Sequence, residues 1–257
     1  MNNDTILRAG ERLETVNERL RLIERDDGLK FGTDAYLLAA FMQSRPRVRM
    51  CELGGGTGIV SLLALTKGKC TFAHVAEIQE TYCDLIARNA ELNGLADRVQ
   101  VLHCDVRELT PAMLPTVGTV VSNPPYMRAG SGFASAANEM DIARREVCGT
   151  IGDFVRAAAR VLGTGGVFDI VYRPERLAEL FSAMRENRLE PKRLVTVYPD
   201  PRSAPCLVLV QAQKDAAPSL KIAPPLCIYR SRADRTYTDE TARIYDTCNM
   251  DFLFEKE

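Results

Sequence analysis

The chain has 257 residues and a formal net charge of −1, from 33 basic and 34 acidic side chains. Hydrophobic residues make up 46% of the chain and charged residues 26%, which excludes collagen, coiled coil and disorder as descriptions of the whole. The balanced charge also differs from that of a strongly basic nucleic-acid-binding protein.

No segment predicts membrane insertion or a metal site. The longest uncharged run, residues 109–127, contains four prolines, which a membrane-spanning helix would not tolerate. The amino terminus lacks the basic start and apolar stretch of a signal peptide. The eight cysteines lie at least 13 residues apart, so they form no closely spaced zinc or redox pair. We therefore expect a cytoplasmic protein with reduced thiols, no bound metal and no membrane partner.

Short apolar runs alternate with amphipathic stretches between residues 48 and 213. Seven strands are predicted, at residues 48–53, 71–78, 98–103, 116–122, 167–172, 193–198 and 207–213. Helices are predicted at residues 58–67, 80–93, 151–162 and 174–187. A short, turn-rich segment joins the last two strands, so these are expected to be antiparallel. The pattern predicts an α/β fold: a Rossmann-like, mostly parallel sheet with an antiparallel last strand and helices on both faces.

The segments outside this core, residues 1–47 and 214–257, are each too short to form an independent domain. Apolar alternation predicts a strand at residues 19–25, and an apolar stretch predicts a short helix at residues 35–42. We expect one domain over residues 1–257. Within it, residues 1–47 are an N-terminal elaboration and residues 214–257 a C-terminal extension packed on the core. A monomer is favoured.

A glycine-rich loop follows the first predicted strand, with the sequence Glu52-Leu53-Gly54-Gly55-Gly56-Thr57-Gly58. Gly54, Gly56 and Gly58 let a ligand approach the backbone closely at the amino end of a helix. Their spacing differs from the G-x-G-x-x-G pattern of dinucleotide-binding folds, which argues against a nicotinamide-dependent oxidoreductase. A tight turn without a ligand is the alternative interpretation.

Acidic residues follow the second and third predicted strands. Glu77 stands 25 residues beyond Glu52, where a carboxylate can accept both hydroxyls of a ribose. Asp105 follows the third strand, and a role as a turn cap is its alternative. Because ligands of parallel sheets bind at the carboxyl ends of the strands, we expect these side chains to face one site.

The sequence Asn123-Pro124-Pro125-Tyr126 follows the fourth predicted strand. Two prolines at a strand end prevent ladder pairing and form a rigid platform. The Asn123 side-chain carbonyl and the Pro124 main-chain carbonyl can accept the two hydrogens of a planar amino group. Tyr126 can stack on the attached π-system. The motif therefore predicts a catalytic site for an amino group, and a proline-rich turn with a packed tyrosine is the alternative.

Together these motifs resemble the amino-methylating branch of class I S-adenosylmethionine-dependent methyltransferases. The glycine loop, with an acid two residues before its first glycine, is similar to the first motif of that family, and Asn-Pro-Pro-Tyr is the mark of the branch. The resemblance implies S-adenosylmethionine as cofactor, with Glu52 near its ammonium and Asp105 against its adenine. The implied cofactor-binding set also includes Gly54, Gly56, Gly58, Glu77 and Asn123.

A narrower resemblance concerns residues 27–35, with the sequence Asp-Gly-Leu-Lys-Phe-Gly-Thr-Asp-Ala. This segment is similar to one found ahead of the glycine loop in bacterial adenine-N(6) methyltransferases that act on valine tRNA. There it helps close the cofactor site, which implies cofactor contacts for Lys30, Thr33 and Asp34. The resemblance implies methyl transfer to the exocyclic amino nitrogen of adenine in RNA, with tRNA as the partner.

Arginines supply the candidate RNA contacts. They are Arg144, Arg145, Arg230, Arg232 and Arg235. For each, a solvated or ion-paired surface role is the alternative.

Other acceptors and a non-enzymatic role stay open at this point. Glutamine, cytosine and guanine also present a conjugated amino nitrogen, so a protein glutamine or another nucleobase is the alternative substrate. A catalytically silent cofactor- or RNA-binding module is the third interpretation. The intact Asn-Pro-Pro-Tyr motif favours an enzyme.

Overall fold

The computed structural model describes residues 7–28, 32–125 and 149–255, and the structural statements that follow concern these residues. Its first element is an antiparallel hairpin of β1 (Glu11–Asn17) and β2 (Leu20–Arg25). The sequence pattern predicts only the second strand. No residue of β1 is buried, so this strand lacks the alternation of apolar and polar residues by which a half-buried strand is recognised.

The main sheet contains nine strands among the described residues. They are β3 (Arg49–Leu53), β4 (Phe72–Glu77), β5 (Val99–His103), β6 (Val117–Ser122), β7 (Leu162–Tyr172), β8 (Leu189–Tyr198), β9 (Leu207–Lys214), β10 (Lys221–Ile222) and β11 (Leu226–Cys227). Their order is β10-β8-β9-β7-β6-β3-β4-β5, and β11 also pairs with β8.

The strand directions confirm the predicted fold class. Strands β5, β4, β3, β6 and β7 pair in parallel, whereas β9 is antiparallel to both β7 and β8. All seven predicted strands are present, and β9 is the predicted antiparallel one. Strands β10 and β11 are additional. Each has two residues, which is too short to produce a recognisable period.

The described α-helices cover both faces of this sheet. They are α1 (Thr33–Phe41), α2 (Ile59–Thr66), α3 (Glu80–Leu92), α4 (Ile151–Val161), α5 (Leu177–Glu186) and α6 (Asp239–Thr247). Neighbouring strand residues alternate between two apolar clusters: Val121 packs in the cluster with α1 and α2, and Val120 in the cluster with α4 and α5. Strands buried on both faces explain the continuous apolar runs in the sequence. No described helix has the length and apolar character required to cross a bilayer.

Helix α1 lies inside the domain, because every residue from 35 to 41 is buried. The Lys69 ammonium donates hydrogen bonds to the main-chain oxygens of Ala39, Ala40 and Met42, at 2.7, 3.0 and 2.6 Å. A positive charge at these carbonyls satisfies acceptors that the end of a helix leaves free. Lys69 therefore stabilises the buried end of α1.

Asn89 of α3 holds the N-terminal hairpin against the core. The Asn89 amide exchanges hydrogen bonds with the main chain of Ile23, at 2.6 and 3.2 Å. The same amide donates to the Thr57 oxygen in the glycine loop at 3.0 Å. One buried side chain thus joins strand β2 to the loop that follows β3.

Candidate active site

A cavity of about 430 Å³ opens at the carboxyl ends of β3, β4, β5 and β6. The chain runs outward from β3 to β4 and β5, and then crosses to β6 on the other side of β3. Such a reversal of strand order leaves a crevice in which ligands of open α/β sheets bind. The predicted site residues that line the cavity are Asp34, Glu52, Gly54, Gly56, Glu77, Asp105, Asn123, Pro124 and Pro125.

The remaining predicted residues have other positions. Thr33 begins α1, and Gly58 is the residue before α2; neither lines the cavity. Arg230, Arg232 and Arg235 are exposed between β11 and α6. The other four predicted residues lie outside the described residues: Lys30, Tyr126, Arg144 and Arg145.

Backbone geometry explains the glycines of the loop. Gly54, Gly56 and Gly58 have φ angles of +74°, +53° and +81°, a left-handed conformation that L side chains rarely adopt. At Gly56 an added Cβ would meet nothing within 4 Å, so the main chain there borders open space in the cavity. Gly55 is required for packing instead, since its Cβ would lie 2.2 Å from Cγ1 of Val75.

Glu52 lies beneath the loop with 2% of its surface exposed. Its Oε2 accepts hydrogen bonds from the main-chain nitrogen of Ser61, at 3.0 Å, and from the Ser61 hydroxyl. Burial raises the pKa of Glu52 to about 8, against the lowering effect of these bonds, and the Glu77 carboxylate adds to the rise. A cation in the cavity would favour the ionised form of this carboxyl group.

Glu77 has a fixed orientation at the end of β4. Its Oε2 accepts from the Gly56 nitrogen at 2.9 Å, and its Oε1 accepts from the Gln79 nitrogen at 3.0 Å. Each carboxylate oxygen keeps further acceptor capacity. The pair of oxygens can therefore accept two hydroxyl groups from a ligand without losing its support from the loop.

Asp105 makes the turn-cap contact that the sequence left as one alternative, and it also lies in the cavity lining. Its Oδ1 accepts from the Arg107 nitrogen at 2.8 Å, which is the turn-cap contact, and its carboxylate also lines the cavity. The Arg107 guanidinium forms an ion pair with this carboxylate. The side-chain hydrogen bond from Arg107 holds the pKa of Asp105 below its usual value, so Asp105 is an ionised acceptor.

Asn123 is oriented by an acid from α1. Its Nδ2 donates to Oδ2 of Asp34 at 3.2 Å. A carboxylate only accepts hydrogen bonds, so the amide nitrogen faces Asp34 and the Asn123 carbonyl faces away from it. Ser122, the residue before Asn123, is also held in place, because its hydroxyl donates to the main-chain oxygen of Leu53 at 2.8 Å. The start of the Asn-Pro-Pro segment is thus held from two sides.

Apolar side chains complete the wall, and the sequence analysis missed them. They include Ile78 after β4, Val106 after β5 and Phe154 in α4. An aromatic ring and branched side chains beside Glu77 and Asp105 suit a nucleoside, which presents a flat base and a polar sugar. Ile78 and Val106 adjoin residues that were predicted. Phe154 carries no comparable signal, because it is one of several apolar residues on an ordinary amphipathic helix.

The charge of the lining selects among ligands. The described lining contains four acids (Asp34, Glu52, Glu77 and Asp105) and neither lysine, arginine nor histidine. Such a site attracts a cation and repels the phosphates of a dinucleotide or a nucleoside triphosphate. S-adenosylmethionine fits this set, because it carries a sulfonium, an ammonium, a ribose and an adenine but no phosphate. No metal-binding group of three or more His, Cys, Asp or Glu side chains occurs in the described parts of the chain.

The strand order and the acidic cavity above a glycine loop define a class I methyltransferase. The family described as "methyltransferase small domain" matches residues 26–188, and the chain belongs to this family. It is an S-adenosylmethionine-dependent methyltransferase.

Similar proteins carry more specific names. The chain is 26% identical over 183 residues to a protein of Parabacteroides distasonis named tRNA1(Val) (adenine(37)-N6)-methyltransferase, covering 71% of this chain and 76% of that protein. It is 22% identical to a protein of the same name from a Flavobacteriaceae bacterium, covering 82% and 87%. A solved structure of a predicted O-methyltransferase from Agrobacterium tumefaciens superposes with a TM-score of 0.68 at 21% identity, covering 84% and 97%. This last similarity shows the fold.

Proposed function

We propose that this enzyme transfers a methyl group to the exocyclic amino nitrogen of adenine in RNA, with tRNA as the substrate. The observation that carries the proposal is the Asn123-Pro124-Pro125 segment at the cavity, with the Asn123 amide nitrogen turned to Asp34. The names of the curated relatives support adenine as the base and tRNA as the RNA. Because tRNA is modified inside the cell, we also assign the enzyme to the cytoplasm.

The acceptor amino group is held by two oxygens. The Asn123 side-chain carbonyl accepts one amino hydrogen, and the Pro124 carbonyl accepts the other. Both bonds draw the nitrogen lone pair out of conjugation with the ring and direct it towards the methyl group. Tyr126, which lies outside the described residues, is assigned to stack on the base, a contact worth about 1–3 kcal/mol. Most of the rate enhancement then comes from positioning.

The residues assigned to the cofactor lie at or just after the carboxyl ends of three neighbouring strands, β3, β4 and β5. Glu52 would attract the cofactor's ammonium, Glu77 would accept the ribose hydroxyls and Asp105 would accept from the adenine amino group. When bound, S-adenosylmethionine supplies an electrophilic methyl group on a positively charged sulfur. The main chain at Gly54 and Gly56 gives room for close approach.

Proton removal requires no strong base in this scheme. The amino nitrogen becomes acidic only after it gains the methyl group, and its proton then passes to solvent. Asn123 and Pro124 keep their role as acceptors throughout.

The segments outside the core are proposed to belong to the same domain. The Asn89 contacts to β2 and to the glycine loop, and the Asp34 contact to Asn123, support a role of residues 1–47 in closing the cofactor site. Ile244, Cys248 and Met250 are buried in the cluster that contains α1 and α2. Their burial supports residues 214–257 as an extension packed on the core.

The test is methyl transfer from labelled S-adenosylmethionine into total tRNA from a strain that lacks this gene, followed by separation of the nucleosides. We expect the label in N(6)-methyladenosine. Asn123→Ala should lose most of the transfer, whereas Asn187→Ala, a substitution at the end of α5, should keep it. Label in a protein fraction instead of RNA would assign a glutamine substrate. Cofactor binding without any transfer would leave a silent binding module.

A further inference from the structure

The chain between β11 and α6 forms a closed loop of basic character. Tyr229 and Tyr237 pair as an antiparallel bridge, and the Arg230 nitrogen donates to the Thr236 oxygen at 2.9 Å. Asp234 accepts from the Thr236 nitrogen at 2.9 Å inside the loop. We call residues 229–237 the arginine hairpin, because three exposed arginines stand there against one aspartate.

A column of tyrosine rings in contact with one another holds this hairpin. The ring of Tyr237 lies 5.4 Å from that of Tyr229 and 5.0 Å from that of Tyr245, with interplanar angles of 12° and 21°. Tyr245 in turn lies 4.7 Å from Tyr36 of α1. Exposure falls from 40% at Tyr237 to 3% at Tyr36. We call these four rings the tyrosine column; it leads from the surface hairpin to a buried helix.

The tyrosine column ends at the helix that contacts the Asn-Pro-Pro segment. The Tyr36 hydroxyl donates to the main-chain oxygen of Tyr245 at 2.7 Å. Two residues before Tyr36, Asp34 accepts the hydrogen bond from Asn123. Because α1 is buried and Lys69 holds its last carbonyls, the tyrosine column connects the arginine hairpin to a well-packed helix at the cavity.

The charges of the molecule favour RNA at this hairpin. The cavity lining is acidic and the chain as a whole has a net charge of −1, so neither attracts a polyanion. The Arg230 side chain pairs with Asp239, and both are exposed, a type of pair that contributes little. Neither Arg232 nor Arg235 forms a side-chain hydrogen bond or ion pair with another described residue.

We propose that the arginine hairpin is the RNA-docking element of the enzyme. Arg232 and Arg235 contact phosphates of the strand that carries the target base, and the tyrosine column sets their distance from the cavity. This inference rests on the proposed RNA substrate. It assigns the cationic contact to one loop of a chain whose formal net charge is −1.

The test is equilibrium binding of total tRNA at several salt concentrations. The double variant Arg232→Ala/Arg235→Ala should bind about tenfold more weakly, with a salt slope reduced by roughly 1.4–1.8 for two lost phosphate contacts. The control, Arg19→Ala/Arg47→Ala, removes the same charge from two other exposed positions and should leave affinity and slope unchanged. Affinity for S-adenosylmethionine should be the same in all three proteins, which shows that the site is folded.

A second pair of variants tests the tyrosine column. Tyr237→Ala should weaken tRNA binding several-fold, because the hairpin loses its stacking contact to α6, whereas Tyr237→Phe keeps the ring and should bind like the wild type.

Two results with the arginine variants would overturn the inference. One is wild-type affinity and salt slope in the double arginine variant, and the other is an equal loss of affinity in the control variant. Polyglutamate serves as the probe for an acidic protein partner. If the double arginine variant loses binding to polyglutamate but keeps wild-type affinity for tRNA, the RNA-docking inference is overturned in favour of such a partner.

The same experiment separates this inference from the proposed function. If the wild type methylates tRNA and the hairpin variants bind normally, only the docking assignment fails. If tRNA binds through the hairpin but receives no methyl group, the docking assignment holds and the proposed reaction fails. A wild type that binds no RNA overturns both.

Discussion

The side-chain nitrogen of Asn123 donates to Oδ2 of Asp34 at 3.2 Å, across 89 residues of sequence. This bond connects the first turn of α1 to the end of β6. It also selects the orientation of the asparagine, because the carboxylate can pair only with the amide nitrogen. The bond therefore places an acid of the N-terminal segment beside the first residue of the Asn-Pro-Pro segment at the cavity.

If Asp34 acts by orienting Asn123, the two residues are coupled in methyl transfer. We expect Asp34→Ala to lower kcat about 10- to 100-fold, since a hydrogen bond to a charged group contributes roughly 1.5–3 kcal/mol. The double variant Asp34→Ala/Asn123→Ala should be no slower than Asn123→Ala alone. Single-turnover rates with saturating cofactor measure this. Asp97 is an exposed acid before β5, and Asp97→Ala is the control. If the losses from Asp34→Ala and Asn123→Ala add up in the double variant, the two residues are not coupled.

The sequence was sufficient for the seven longer strands of the sheet and for the residues at their carboxyl ends. Parallel strands buried on both faces read as apolar runs, and the chemistry of such folds lies just after them. The sequence alone therefore predicts that Glu52, Glu77, Asp105 and Asn123 lie at one site, and all four line the cavity. The strand β1 could not be predicted, because none of its residues is buried and its sequence shows no alternation of apolar and polar residues.

Sequence patterns do not identify residues that act through contacts distant in sequence. Ser61 bonds Glu52 from the first turn of α2, and Phe154 reaches the cavity from α4. Neither has a local pattern that distinguishes it from other helical residues. Gly55 was hidden for a different reason: its neighbours in the loop are also glycines, and only packing against Val75 separates its role from theirs.

Two adjacent glycines should give different defects. Gly55→Ala would place a Cβ 2.2 Å from Val75 and 3.0 Å from Ile86, so we expect a loss of about 1–3 kcal/mol in the free energy of unfolding. Gly56→Ala faces open space, with a left-handed φ of +53° that costs about 1–2 kcal/mol. Its main defect should be weaker cofactor binding. Denaturant unfolding and calorimetric titration separate the two, and equal cofactor affinity in Gly56→Ala and the wild type would contradict this assignment.

Cofactor binding should depend on pH through Glu52. In the free protein burial raises the pKa of this carboxyl to about 8, whereas a bound cation favours the ionised form. The association constant for S-adenosylmethionine should therefore rise from about pH 6 to about pH 8, with release of a proton. The ammonium of the cofactor titrates near the upper end of this range, so Glu52→Gln is the reference: it keeps the acceptor for Ser61 but cannot ionise. Parallel pH profiles for the two proteins would show that Glu52 does not couple to the ligand.

A second buried acid should affect stability rather than binding. Asp169 on β7 is fully buried and lies in register with Gln211 on β9, whose side chain donates to its Oδ1 at 2.8 Å. Arg193 on β8 is in register with the same glutamine. Burial raises the pKa of Asp169 to about 6. The hydrogen bond from Gln211 and the positive charges of Arg193, Lys69 and Arg45 oppose this rise.

The sign of the pH effect follows from this raised pKa. The folded chain keeps the Asp169 proton up to about pH 6, whereas the unfolded chain releases it near 3.8. The stabilising contribution is thus complete below the unfolded pKa and is lost as the pH rises through the folded one. Relative to the wild type, Asp169→Asn should gain up to about 3 kcal/mol in the free energy of unfolding between about pH 4 and pH 7. Urea unfolding at several pH values measures this difference, with the exposed Asp97→Asn as control. A difference that stays constant with pH would show that Asp169 titrates alike in both states.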